Sequence, residues 1–219
     1  CCMSNGERKV LRRANSSSFN ALKVTPFGLL KASTRDDRSK IVSLAEEQSL
    51  FLDQALCSKA RQDLTNPRNR LQAEVAWLPG LAPRKAEKYV ELLDDELSEY
   101  IHSLRSEQPI VKANLIAAVL DVLFEDEANS LWVELIIELA VAADNIDSDV
   151  LLRQINEDRQ LAGFPEVQGV EALDEPFEVQ KKYYRESVKD ALDRMDSEKI
   201  LDVVGLVAKE ATENGAQHA

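Results

Sequence analysis

The sequence predicts an all-α protein, and three observations support this prediction. The 219 residues are 44% hydrophobic and 30% charged, which provides enough apolar material for a buried core. Ala, Leu, Glu, Lys, Gln and Arg dominate and favour helices, whereas Gly and Pro, which interrupt helices, occur only seven times each. No run alternates apolar and polar residues over the length of a strand, and no Asn-Gly hairpin signal separates two apolar runs.

The chain divides into three predicted segments. Residues 1–18 contain the basic run ERKVLRR and end in Asn-Ser-Ser-Ser, so we expect a flexible basic lead. This lead could contact an anionic partner, but a solvated tail is the favoured interpretation. Residues 19–80 are predicted to form a small helical module, and residues 81–214 a larger, acidic α-helical bundle domain.

The first helices are predicted from caps and from apolar spacing. A short segment from Phe19 is ended by Thr25-Pro26, and a loop containing Gly28 is expected to follow. Asp36 and Asp37 suit a helix N-terminus because their carboxylates cap free N–H groups and favour the helix dipole. The next helix carries inward-facing residues at steps of three and four: Ile41, Leu44, Ala45, Gln48, Leu52 and Ala55. A further helix is predicted from about Leu56 to Leu64.

A proline divides two helices at the end of this module. Pro67 cannot donate a backbone hydrogen bond and disfavours helical geometry at Asn66. Asn66 is therefore predicted as an N-cap and Pro67 as the first residue of the next helix. Pro79-Gly80 is expected to stop that helix. Apolar residues on both sides of Pro67 are predicted to be buried together: Leu22, Ile41, Leu44, Leu64, Leu71, Val75 and Leu78, with Trp77 beside them.

The second segment is predicted to consist of long helices. One helix opens at Pro83 with an apolar stripe that reaches Leu104. The segment 110–142 is apolar on more than one face, which fits a central pair of core helices or, as the less favoured alternative, a buried interface between subunits.

The last third of the chain is predicted from one cap and one loop. Asp147 or Ser148 caps a helix that ends near Gly163, and residues 163–176 are expected to form a loop. Two final helices, 177–195 and 197–213, complete the prediction.

Charge and cysteine content restrict the partners and the compartment. Residues 1–40 hold nine Lys or Arg against three Asp or Glu, whereas the rest holds eighteen against thirty-six. The acidic body repels phosphates and anionic lipids, so neither nucleic acid nor membrane is an expected partner. Three cysteines without a disulfide or metal spacing, and the absence of a signal-peptide or membrane-spanning run, predict a cytoplasmic protein.

No enzyme signature emerges from the sequence. Glu99 and His102 match one Glu-x-x-His step, but a di-iron bundle needs two such motifs. The acidic run 144–149 lacks the Gly and Glu of a calcium loop. The glycines lie too far apart to cradle a phosphate, and no Gly-x-Ser-x-Gly elbow occurs. We therefore expect no catalytic residues, no metal and no cofactor.

Residues 64–74 carry a resemblance to a known module. In a J-domain, the module that defines DnaJ-type co-chaperones, the third helix ends at a Leu-Thr/Ser-Asp-Pro-like step. The fourth helix then begins with a basic residue followed by an aromatic-acidic pair. The chain reads Leu-Thr-Asn-Pro at 64–67, followed by Arg70 and by Ala73-Glu74, with Ala73 in place of the family's Tyr. Residues 19–78 thus resemble a J-domain.

The opening of the module carries a second part of the resemblance. FNALKVTP, residues 19–26, is similar to the family's aromatic-x-x-Leu-Gly-Val opening, with Lys23 where Gly is usual. The resemblance implies that Thr34 to Leu52 form the second helix. It also implies a loop before the third helix, where a working J-domain carries His-Pro-Asp.

The chain departs from the family at that tripeptide. No His or Pro occurs between Pro26 and Pro67, and FLDQA, residues 51–55, stands in its place. Glu46 and Glu47 dilute the basic character that the second helix has in the family. The resemblance implies these candidate partner-binding residues: Arg35, Arg38, Lys40 and Asp53.

Two classes of function follow from these observations. The first is a non-enzymatic J-domain-like co-chaperone or adaptor, which binds a protein partner, such as a DnaK-type chaperone, without stimulating its ATPase in the usual way. The second is a structural or assembly subunit of a cytosolic complex that uses the apolar 110–142 helices as an interface.

Overall fold

The computed structural model describes residues 21–95, 103–123 and 128–215. Within these ranges the chain forms eleven α-helices and no strand, which confirms the all-α prediction. The first six helices are α1 (Ala21–Val24), α2 (Pro26–Leu30), α3 (Arg38–Gln48), α4 (Gln54–Thr65), α5 (Pro67–Val75) and α6 (Pro83–Asp95). The last five are α7 (Pro109–Val122), α8 (Asn129–Asp144), α9 (Ser148–Leu161), α10 (Asp174–Asp193) and α11 (Ser197–Gly215). The predicted basic lead 1–18, and His102, lie outside the described residues.

The predicted loop around Gly28 is wrong, because Gly28 lies inside α2. The Thr25 hydroxyl accepts a hydrogen bond from the Gly28 N–H at 3.1 Å and donates one to the Leu22 carbonyl at 2.7 Å, so α2 restarts directly after α1. A Cβ at position 28 would lie 2.0 Å from the Leu22 carbonyl oxygen. Glycine is therefore required here because the two short helices pack backbone against backbone.

The second predicted helix is shorter than expected at both ends. Asp37 caps α3 as predicted, since its carboxylate accepts a hydrogen bond from the Lys40 N–H at 2.8 Å. The helix stops at Gln48 rather than Leu52. The reason lies in Asp53, whose carboxylate accepts hydrogen bonds from the N–H groups of Ala55 and Leu56 and so begins α4.

The break at Asn66-Pro67 is confirmed. The Asn66 side chain accepts hydrogen bonds from Arg68 N–H at 2.9 Å and Asn69 N–H at 3.4 Å, and Pro67 is the first residue of α5. Trp77 stacks on Phe27 with ring centroids 5.9 Å apart. Every residue predicted to be buried on either side of Pro67 belongs to the core: Leu22, Ile41, Leu44, Leu64, Leu71, Val75 and Leu78.

Helix α7 is the central element of the fold. It packs against α1, α6, α8 and α10, and from Ile110 to Leu120 all but Lys112 is buried within this chain. In the rest of the apolar 110–142 segment, α8 packs on α7 and α11 and leaves Val141 exposed. One continuous core thus joins the segments on either side of residue 80.

The C-terminal elements differ from prediction at one loop. Asp147, rather than Ser148, caps α9 through a hydrogen bond from the Val150 N–H. The loop expected over 163–176 is shorter, because residues 170–173 form a 3-10 turn and α10 already begins at Asp174. Asp174 and Glu175 favour this earlier start by placing negative charge in the first turn.

Two further features concern the second segment. The helix that opens at Pro83 is described as far as Asp95, and Leu104, predicted at the end of its stripe, lies in the 3-10 turn Leu104–Ser106. In the described ranges, no helix combines the length and the apolar character that crossing a membrane requires.

Candidate protein-binding site

Four buried charged residues fix the base of the α3–α4 pair, and we call them the charged seam: Arg70, Glu74, Asp158 and Arg159. Glu74 accepts hydrogen bonds from Arg70 Nε at 2.7 Å and from Arg159 Nε at 2.8 Å. All four side chains are at most 3% exposed. Ion pairs buried to this degree are stable only when the remaining donors and acceptors are also satisfied.

Backbone carbonyls complete the bonding of the two arginines. Arg70 donates to the carbonyls of Leu64 and Thr34, and Arg159 donates to those of Pro67 and Pro165. The Arg70 guanidinium also stacks over the Phe164 ring, 4.0 Å from its centroid. The seam therefore joins α5 and α9, which lie 85 residues apart in sequence, and holds the end of α4.

Burial shifts the pKa values inside the seam, and the ion pairs oppose these shifts. Removal from water raises the pKa of Glu74, while the neighbouring Arg159 and Arg70 act to lower it. Removal from water also lowers the pKa of Arg70, against the opposing effect of Glu74. Each charge is thus tolerated because its counter-charge is present, which is a structural role.

The predicted partner-binding residues are not brought together. Arg35 pairs through Nε with the Asp158 carboxylate at 2.8 Å, so it belongs to the seam's surroundings. Arg38, with its guanidinium 5.3 Å from the Phe164 centroid, and Lys40 are exposed near the start of α3. Asp53 lies beyond the other end of α3. This helix has 11 residues and is therefore roughly 16 Å long, so it separates Asp53 from Arg38 and Lys40. The role of Arg38, Lys40 and Asp53 in binding stays a prediction.

An exposed apolar surface lies beside Asp53. Leu50, Phe51 and Leu52, which we call the apolar loop, connect α3 to α4 and expose 78%, 78% and 42% of their surface. Leu56, in the first turn of α4, is 53% exposed and extends the same stretch of sequence. Exposed apolar residues are ordinary when scattered, but a cluster of large ones is typical of an interaction site.

A groove continues from the apolar loop towards α6. Its volume is about 810 Å³, within the range of roughly 300–1,000 Å³ that binding pockets occupy. Its lining includes Phe51 and Leu52 of the apolar loop, Leu29 and Trp77, and one face of α6 that includes Val90. Helix α6 presents positions 83, 86, 87, 90 and 91 to the groove, a spacing that places them on one helical face.

Carboxylates mark two sides of the groove. Glu87 and Glu91 lie on the α6 side, and Glu47 lies at the end of α3. Within the part of the chain that the structure describes, none of these three carboxylates has an ion-pair partner. Lys23, in α1, and Lys31, directly after α2, also line the groove. The lining therefore combines apolar side chains with carboxylates of α6 and of the end of α3.

The apolar spacing missed the apolar loop because it placed Leu52 and Ala55 on the inward stripe of α3, although the J-domain resemblance put residues 51–55 in the loop position. The useful signal was Asp53, which directly follows three apolar residues and precedes a helical run. An Asp at that place is a good N-cap, and a cap there puts Leu50 to Leu52 in a connection rather than in a helix. The groove had no such signal, since its walls come from residues far apart in sequence.

Within the described residues, no cluster of three or more His, Cys, Asp or Glu side chains is arranged to hold a metal ion. Cys57, at the start of α4, is buried with a free thiol.

Comparison of the chain with family models, with curated proteins and with solved structures found no match. The class that the fold and the site define is therefore an all-α protein with an exposed apolar loop beside a partly acidic groove. The resemblance of residues 19–78 to a J-domain stays a prediction.

Proposed function

We propose that the chain is a non-enzymatic, J-domain-like co-chaperone or adaptor that acts by binding another protein. The observation that carries this proposal is the exposure of Leu50, Phe51 and Leu52 between two helices whose other ends are fixed by the charged seam. Covering large apolar side chains on a rigid support is what stabilises a protein–protein contact, because little flexibility is lost on binding.

The position of the apolar loop supports the J-like part of the proposal. In a J-domain, the His-Pro-Asp tripeptide lies between the second and third helices. In the proposed alignment, α3 and α4 are the counterparts of those two helices, and the apolar loop connects them. Helix α5, the counterpart of the fourth helix, follows α4 after the Asn66-Pro67 break. With Leu-Phe-Leu-Asp in that connection, contact with a partner would be mainly apolar. We therefore expect binding without the usual stimulation of a chaperone ATPase.

The alternative, an assembly subunit that uses residues 110–142 as its interface, has less support. Most of α7 is already covered by helices of the same chain. Of α8, Val141 is the large apolar residue with about half its surface exposed, at 51%. One such side chain is less than the contiguous apolar surface expected of an obligate interface.

Site-specific photo-crosslinking tests the proposal. Benzoylphenylalanine in place of Phe51 should form a light-dependent cross-link to a distinct protein in native lysate, which is then purified and titrated against the parent chain. The matched control carries the same group in place of Leu161, which is 66% exposed on a different helix. A position-51 product that is absent, or identical to the position-161 product, contradicts the proposed function.

A single-turnover ATPase assay tests the absence of stimulation. The purified chain is added to a DnaK-type chaperone from the same source, and we expect no acceleration of ATP hydrolysis. Clear acceleration that Asp53→Ala abolishes would show that the α3–α4 connection is an active loop of unusual sequence.

A further inference from the structure

We infer that the groove beside the apolar loop binds a short apolar segment of a partner protein that carries Lys or Arg next to its apolar side chains. This inference rests on the proposed function and specifies the chemistry of the partner. It follows from the composition of the groove floor and from the charges along α6.

The floor of the groove selects apolar side chains. Leu29 and Val90 are partly exposed there, Trp77 and Ala32 form its deeper part, and Phe51 extends outward at one edge. Because the apolar loop is continuous with this floor, a bound segment could cover the loop and fill the groove together. Amphipathic protein segments bind to grooves of this kind through a few regularly spaced apolar anchors.

The charges along α6 select cations. Glu87 and Glu91 are four residues apart on the groove-lining face, and both are exposed. Like charges at this spacing destabilise a helix slightly, so a cation of the bound segment that lies between them would relieve part of their repulsion. Glu47 and Asp36 add two further carboxylates to the lining. Complementary charge at the edge of an apolar contact accelerates encounter and fixes orientation.

The lysine that follows α2 favours one orientation of the bound segment. Lys31 is exposed and lines the groove, so it would repel a cationic residue beside it, and the cations of the segment should face α6. A segment that is cationic along one edge and apolar beneath fits this distribution, whereas an acidic segment meets the four lining carboxylates of Asp36, Glu47, Glu87 and Glu91.

A peptide-binding measurement on the full chain tests the inference. The probe is a fluorescein-labelled peptide of about 12 residues, in which Leu recurs at steps of three and four and Lys and Arg fill positions between them. Two comparison peptides replace its Lys and Arg by Glu, or its Leu by Gln. Fluorescence anisotropy should show binding of the first probe, and at least tenfold weaker binding of either comparison peptide.

Variants locate the binding. Glu87→Gln together with Glu91→Gln should weaken the first probe about tenfold in low salt, and Phe51→Ser should weaken it to a similar extent. The matched control, Glu157→Gln with Glu166→Gln, removes two exposed carboxylates outside the groove and should change binding less than twofold. Circular dichroism establishes that each variant remains folded, since all of these positions are at the surface.

Three results would overturn the inference. Equal weakening by the control pair, or equal binding of the Gln-substituted peptide, would mean that the net charge of −12 alone attracts the probe. Self-association that Phe51→Ser abolishes would mean that a second copy of the chain occupies the groove. If the peptide does not bind as expected but the distinct cross-link from position 51 is still formed, the proposed chemistry of the bound segment is wrong and the proposed adaptor function is not affected. Loss of that cross-link rejects the adaptor function itself.

Discussion

The charged seam and the apolar loop lie at opposite ends of the α3–α4 pair, and each reverses the usual distribution of residues. In the seam, arginine and glutamate side chains are buried next to Thr34 and Leu64. In the loop, leucine and phenylalanine side chains are exposed. Charged residues are seldom fully buried, and large apolar clusters are seldom fully exposed, so both regions need an explanation.

The two regions differ in whether the same chain supplies partners for these unusual side chains. Every charge in the seam has a counter-charge or a carbonyl within the same chain, so the loss of one partner would leave a buried charge uncompensated. Nothing in the described part of the chain covers Leu50 and Phe51. The seam therefore acts on stability, and the loop is expected to act on binding. Three substitutions test this separation.

The largest expected effect is at the seam. Glu74→Gln removes the charge shared by Arg70 and Arg159 and leaves two buried guanidinium groups without a full counter-charge. We expect the free energy of unfolding to fall by about 3–5 kcal/mol, as measured by urea denaturation.

The control for this substitution is Asp63→Asn, which breaks the pair with the largely exposed Lys59. Exposed pairs contribute only about 0–1 kcal/mol because water and salt screen them. If both substitutions cost the same, the seam is not a source of stability and the comparison fails.

An intermediate effect is expected from two leucines of the same helix. Leu64 lies at the seam end of α4 and is fully buried, whereas Leu56 lies at the loop end and is 53% exposed. Leu64→Ala should cost about 2–5 kcal/mol through the cavity it leaves. Leu56→Ala should change stability by no more than about 0.5 kcal/mol. Thermal and urea unfolding measure both, and a large loss for Leu56→Ala would show that the loop end also belongs to the folded core.

The smallest effect is expected from the two caps. Asn66 caps α5 near the seam, and Asp53 caps α4 beside the loop. Because capping acts over two or three residues, Asn66→Ala and Asp53→Ala should each cost about 0.5–2 kcal/mol, whichever end they occupy. Pro67→Ala should be milder than either. A loss at Asn66 alone, with none at Asp53, would mean that the loop end of α4 is not held by its cap.

The starts of several helices were determined by the sequence alone. Asp37, Asp53, Asn66 and Asp147 are all N-caps, and three of them were predicted at or next to the right place. These boundaries are predictable because a cap joins a side chain to N–H groups only two or three residues away. The core residues around Pro67 were predictable for a similar reason, since apolar spacing along one helix defines its buried face.

Only the tertiary structure decided which charges are buried and which apolar residues are exposed. Arg70 and Glu74 look like surface residues of a polar helix until Arg159, 85 residues beyond Glu74, is placed against them. Gly28 looks like a loop glycine until the Leu22 carbonyl is found where its side chain would be. The groove likewise exists only because α2, the end of α3 and α6 meet there. The physical reason is that periodicity and capping are local, whereas desolvation depends on every element that packs against a residue, however distant in sequence.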